Sequence, residues 1–328
     1  FQYIDLLKAE SPEERIYAEQ AKVAELNFRF QEKGSTVGFV YQMAPRLDEY
    51  PAQDLLVAPY LMEGFDASLI TKSLSYLRKD NLMMEISAPE LETDRVEPWF
   101  SVPYSLNVGE IETAEFADAK LNLPAVNPYL PSNLDLLPKD DEGISLVSDS
   151  SNLQIWLDSD VSFGTPRANS RIQLLLSNGL SSLEDAAYAE LYRRLVNDSL
   201  STTVYPAYLA GLGYSIGGNE TGYTVSLNGY QDKQMNLLAT VIEQLLHAEL
   251  TDERFSTFKR GLIKDLRNAA KDKPYTQTLS ALSTLLISSS WSPAALADAL
   301  LTLKLGELKT WRQNKLAKMA VIAGLHGN

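Results

Sequence analysis

Three groupings in this 328-residue chain carry residue types that could do chemistry. Gly213-Tyr214-Ser215-Ile216-Gly217 fits the G-x-S-x-G spacing of a nucleophile elbow, which needs a strand, a sharp turn and then a helix whose N-terminus faces the serine. Here a Gly217-Gly218-Asn219 turn leads into Tyr223, Val225 and Leu227 alternating with Thr224, Ser226 and Asn228, so the segment is expected to be a hairpin and Ser215 an ordinary strand residue. His247 and His326 form the second grouping. Zinc hydrolases place two imidazoles on one helical face with a glutamate beside them, as in H-E-x-x-H or H-x-x-E-H; neither spacing occurs, so each histidine is expected to be a partly buried or hydrogen-bonded imidazole. The carboxylates Glu90, Glu92, Asp94 and Glu97 form the third. Nothing apolar surrounds them in sequence, and a solvated acidic loop is expected rather than an acid/base pair. With no cysteine in the chain, a thiolate nucleophile, a disulfide and a cysteine-ligated metal are excluded. Gly211-Leu212-Gly213 lacks the third glycine and the helix of a dinucleotide fingerprint, and there is no Walker loop. No catalytic, cofactor-binding or metal-ligating residue is therefore assigned to this chain.

One aromatic grouping stays open. Tyr205, Tyr208, Tyr214, Tyr223 and Tyr230 gather around the hairpin, where they fit either core packing with wet hydroxyls or a peptide-contact surface.

The elements that would position these residues follow from periodicity. Ser11-Pro12-Glu13-Glu14 reads as a capped helix start, and Ile16, Ala21, Val23, Ala24 and Leu26 suit a long helix toward Phe30. Shorter helices are predicted over 53–57 and 67–77, a strand over 82–86, and extended chain broken by Pro103 over 99–106. Residues 109–142 carry prolines 124, 128, 131 and 138 and the run Asp140-Asp141-Glu142, the composition of a stiff, solvated linker. Strands are then predicted over 144–148, 153–158 and 171–176, and a capping box at Ser181-Ser182-Leu183-Glu184 opens a helix extending to about 208. The hairpin over 211–232, five helices between 237 and 315 and a last strand near 318–323 complete the pattern. Strands alternating with paired helices indicate an α+β fold.

The net charge of −14 lies entirely in the first part: residues 1–142 hold 26 acidic and 12 basic side chains, and residues 143–328 hold 17 of each. That step marks a boundary, and the acidic total argues against nucleic acid or an anionic membrane as a partner. No stretch approaches the roughly 18 apolar residues of a membrane span. Phe1 opens inside a helical pattern without an initiator Met or a basic leader, and the end reads as a strand and turn, so both ends are expected to be cuts in a longer protein.

Six segments in order resemble the long-form pitrilysin/insulinase zinc metallopeptidases: Phe1-Gln2-Tyr3-Ile4, Glu97-Pro98-Trp99-Phe100 with Pro103-Tyr104, Asn127-Pro128-Tyr129-Leu130-Pro131-Ser132-Asn133-Leu134, Tyr208-Leu209-Ala210-Gly211-Leu212-Gly213-Tyr214, Gly229-Tyr230-Gln231-Asp232-Lys233-Gln234 and Leu325-His326-Gly327-Asn328. The resemblance implies four α/β-roll domains of the pitrilysin/mitochondrial-processing-peptidase type, an antiparallel sheet covered by helices, in two halves that close around a peptide. It assigns residues 1–115 to the C-terminal part of the second domain, 116–142 to the linker between the halves, and 143–328 to the third domain, truncated at its C-terminus. The parent's zinc would be held by a first-domain H-x-x-E-H helix and a further glutamate, all outside this chain. The implied partners are peptide substrates and the parent's other domains, and a Gram-negative source implies the periplasm, with the cytoplasm as the alternative. Animal members carry arginines, linked to anion binding, where this chain has Gly34-Ser35-Thr36-Val37-Gly38, so polyanion activation is not expected. Truncation is expected to leave the last strand short of partners. A non-catalytic scaffold relative and a free-standing peptide-binding module are the alternative functions.

Overall fold

The computed structural model describes residues 1–31, 34–109, 120–136, 138, 143–160, 162, 164–287 and 289–327. The acidic run Asp140-Asp141-Glu142 lies outside the described residues. The chain divides into two units, Phe1–Arg29 with Thr36–Val126, and Phe30–Ser35 with Asn127–Asn328.

The first unit is mainly helical: α1 (Gln2–Ala9), α2 (Glu14–Arg29), α3 (Thr36–Arg46) and α4 (Ala67–Ser75). α4 begins where Asp66 Oδ1 accepts the Leu69 and Ser68 amides at 3.0 and 2.9 Å; these bonds, Leu69's first, hold the Asp66 carboxyl below the usual carboxylate range. The strand expected over 82–86 is absent. Met83 is 88% and Ile86 63% exposed, and an apolar run becomes a strand only where a neighbour completes its ladder. The extended chain around Pro103 forms only a short ladder, β1 (Arg95–Val96) with β2 (Pro103–Tyr104).

The second unit is α+β. Among the described residues its strands are β3 (Ile144–Ser150), β4 (Leu153–Ser159), β5 (Arg167–Leu176), β6 (Gly213–Asn219), β7 (Gly222–Tyr230) and β8 (Met319–Gly327), ordered β3-β4-β8-β5-β7-β6. Contrary to the expectation of a last strand short of partners, β8 is inserted in the sheet, parallel to β4 and antiparallel to β5. The edges are β3 and β6.

The helix predicted to run to about 208 is interrupted. α5 (Leu183–Leu200), capped by Ser182 Oγ accepting the Asp185 amide at 3.0 Å, ends before a turn, and α6 (Tyr205–Leu209) restarts with Pro206 in its first turn. Proline supplies the helical φ without needing an intrahelical amide bond there, so it suits a restart and not a continuation. α7 (Gln234–His247), α8 (Asp252–Asn268), α9 (Pro274–Leu286), α10 (Pro293–Thr302) and α11 (Leu305–Leu316) follow.

Alternation on the strands decides which face the helices cover. Ile172 and Leu174 of β5, Tyr223 and Val225 of β7 and Ile216 of β6 are buried in one core with Leu191, Tyr192 and Val196 of α5 and Leu237, Val241 and Leu245 of α7. The hairpin turn depends on Gly222, whose φ is +147° and whose Cβ position would collide with the Leu174 carbonyl. Part of the proline-rich stretch packs on this body: Tyr129 is 7% exposed and its hydroxyl lies 3.0 Å from Thr240 Oγ1, while Asn127 Nδ2 donates to the Pro206 carbonyl at 2.8 Å.

Candidate functional site

The other side of the alternation presents polar and small residues. Asn169 and Arg171 of β5, Ser215 of β6, Asn228 of β7 and His326 of β8 are exposed, and with Ser226 and Gly324 they line a cavity of about 890 Å³. Register brings them together: Asn169 stands opposite Asn228 and His326, Arg171 opposite Ser226 and Gly324, and Ser215 opposite Ser226. The sheet supplies the floor. Gly213 keeps it low, because a Cβ there would collide with the Asn228 side-chain amide opposite.

Tyr205 and Tyr208 of α6 also line the cavity, together with apolar side chains that include Val204, Leu212, Leu227 and Leu237. Their rings stack with centroids 6.4 Å apart and planes 27° apart, and they are 58% and 72% exposed. The five tyrosines near the hairpin thus separate by role. Tyr223 is fully buried, its hydroxyl donating to the Ala189 carbonyl at 2.9 Å, and burial pushes its pKa well above the ordinary phenol value. Tyr230 is 2% exposed beneath the Arg167 guanidinium, 5.1 Å from the ring centroid. Tyr214 is half-buried against the core. Core packing and an open aromatic surface therefore both hold, for different members of the group.

His326 forms the second polar feature of the cavity. Its Nδ1 lies 2.9 Å from Asp158 Oδ2 on the parallel neighbour β4, and its Nε2 lies 3.8 Å from Asp160 Oδ2. Each ring nitrogen faces a different carboxylate, only Nδ1 within hydrogen-bond distance, so the groups do not converge on one point as metal ligands do. His247 is exposed in the last turn of α7. No group of three or more His, Asp or Glu suited to a metal occurs among the described residues, so their side chains do not fit a zinc site.

Ser215 is part of an antiparallel ladder, with no histidine or carboxylate hydrogen-bonded to it among the described residues, and the elbow geometry is absent. Glu97 has a structural role: its carboxylate accepts the Trp99 and Phe100 amides at 2.8 and 2.6 Å and closes the turn between β1 and β2. Arg171 was not singled out by any motif; the detectable signal was its phase, since it alternates outward between Ile172 and Ser170, both buried.

Comparison with known proteins agrees with this architecture. The family described as "Middle or third domain of peptidase_M16" matches residues 28–299. The insulin-degrading enzyme of Homo sapiens is 31% identical over 338 residues, an alignment covering 100% of this chain and 33% of that protein. The peroxisomal insulin-degrading enzyme-like 1 of Arabidopsis thaliana is 27% identical and is covered to 35%. The fold is similar to the crystal structure of pitrilysin, with a TM-score of 0.77 at 22% identity, covering 99% of this chain and 36% of that one. The chain thus spans about a third of the length of the curated relatives it matches, and it belongs to the peptidase M16 family, matching that family's middle or third domain.

Proposed function

We propose that the parent protein is a zinc-dependent oligopeptidase and that this chain supplies part of the wall of its substrate chamber, with the metal held elsewhere in the parent. The observation that carries this reading is on the sheet of the second unit: a cavity of about 890 Å³ with a mixed lining, polar side chains such as Asn169, Arg171 and Asn228 beside apolar ones such as Val204 and Leu212, and an exposed tyrosine pair. A concave surface that combines apolar area, amide and hydroxyl side chains and a few aromatic anchors suits extended peptides of varied sequence. Support for a peptidase parent comes from the relatives' names, which include insulin-degrading enzymes and a putative zinc protease of Schizosaccharomyces pombe. In such a parent, zinc polarises the scissile carbonyl and activates water when bound. The side chains of the cavity would hold the peptide and do no bond-breaking.

We place 1–115 in the second domain of the parent, 116–142 between its halves and 143–328 in the third domain. For a Gram-negative source we place the parent in the periplasm. Purified alone, the chain should cleave no quenched peptide and retain no stoichiometric metal, whereas the full parent should cleave the peptide and hold the metal. Peptidase turnover or one bound zinc per isolated chain would overturn the assignment. The alternative of a non-catalytic scaffold relative is separated by reading the parent's sequence before Phe1 for H-x-x-E-H.

A further inference from the structure

Arg171 is the unaccounted cation of the second unit's sheet. Arg167, the other arginine of the same strand, lies over the Tyr230 ring, and on the helices Arg193 and Arg194 pair with Glu190 at 2.6 and 3.1 Å and Arg254 pairs with Asp198. Arg171 has no hydrogen-bond or ion-pair partner among the described residues, and it stands exposed in the cavity. Its direct cross-strand neighbours are Ser226 and Gly324, neither of which carries a side chain longer than a hydroxymethyl group. Asn169, on the same face two positions earlier, adds an amide to the same floor. Asp158 of β4 and Asp160 just beyond it face His326.

We propose that Arg171 anchors a carboxylate of the peptide that lies on this face, and so gives the chamber wall a local preference for acidic groups. The proposal rests on the chamber-wall reading above. A planar guanidinium offers two parallel N–H donors that match the two oxygens of a carboxylate, and a lysine in its place offers only a point charge. On a floor of small residues the main chain of an extended peptide can approach closely enough for that fork to engage an Asp or Glu side chain or the peptide's own C-terminus.

The test uses the full-length parent protein, stripped of metal by a chelator so that bound peptide is not cut, and fluorescence anisotropy of labelled twelve-residue peptides. Four peptides cross a C-terminal carboxylate or carboxamide with an internal Glu or Gln, which separates the two sources of the carboxylate. Arg171→Gln is expected to weaken binding of the carboxylate-bearing peptides by about tenfold and to leave the fully neutral peptide unchanged, with Arg171→Lys intermediate. Loss confined to one arm identifies which carboxylate is held. Arg171→Gln binding all four peptides as the unaltered protein does would overturn the anchor while leaving the chamber wall intact. Failure of the unaltered protein to bind any of the four at high micromolar concentration would overturn both.

Discussion

Asp232 and Ser132 are joined twice, the backbone amide and the hydroxyl of Ser132 both donating to Asp232 Oδ2, at 2.8 and 2.9 Å. The Asn133 amide adds a third bond at 3.2 Å, and Lys233 Nζ lies 3.2 Å from the same oxygen. Partial burial alone would push this carboxyl up, but the bonds from Ser132, Asn133 and Lys233 outweigh it and lower it to about 2. Residues 132–133 of the proline-rich stretch are thereby fastened to the turn that precedes α7.

A depressed carboxyl stabilises the folded state above its unfolded pKa and loses that effect as pH falls through the folded one. Asp232→Asn is accordingly expected to cost up to about 2 kcal/mol at neutral pH, with the gap to the unaltered protein closing as pH drops from about 4 toward 2. Urea unfolding across that range checks it, together with faster amide exchange at Ser132 and Asn133 in the variant. A gap independent of pH would mean that the carboxylate's charge is not what fastens the segment.

Gln234 is 2% exposed and uses its whole amide: Oε1 accepts from Ser170 Oγ at 2.8 Å, and Nε2 donates to the carbonyls of Ala168 and Gly229 at 2.6 and 3.0 Å. Gln234→Leu strands three polar groups in the interior and should destabilise the fold by about 2–4 kcal/mol. Chemical denaturation reads this directly, and a loss under 1 kcal/mol would contradict the buried-network assignment.

Gly222→Ala combines a φ of +147° with a collision against the Leu174 carbonyl. The expected loss is about 2 kcal/mol or more, seen as a lowered melting temperature. Gly217→Ala, which meets only ordinary contacts on the same hairpin, serves as the matched control.

Tyr205→Ala with Tyr208→Ala is expected to leave stability within about 0.5 kcal/mol, since both rings are mostly exposed, and to weaken peptide binding by about tenfold through loss of aromatic contact. Thermal melts and peptide titration of the full parent protein separate the two effects. Unchanged binding would assign the pair to the surface alone.

Much of the fold was legible because it depends on local patterns. The alternation in 223–228 fixed the hairpin's second arm, and the capping box over 181–184 located the start of α5 to within one residue, the cap being Ser182, which accepts the Asp185 amide. Illegible features depended on distant neighbours. Residues 82–86 have strand chemistry and no partner, while β8, at the chain's end, finds partners on both sides from strands more than a hundred positions earlier. The cavity was hidden for the same reason: Asn169, Arg171, Asn228 and His326 come from three strands, and only register places them side by side. The tyrosine group showed the right composition, but which members face the core depends on strand phase and on the break before α6.

The most direct test of the wall is photo-crosslinking in the metal-stripped parent protein. A peptide carrying a benzophenone at successive positions would be irradiated in the complex and the adducts mapped by mass spectrometry. Adducts on the cavity lining, at 169–171, 205–208, 213–215 or 226–228, are the expected result. Saturable peptide binding with adducts only on other parts of the parent, and none on this face, would contradict it.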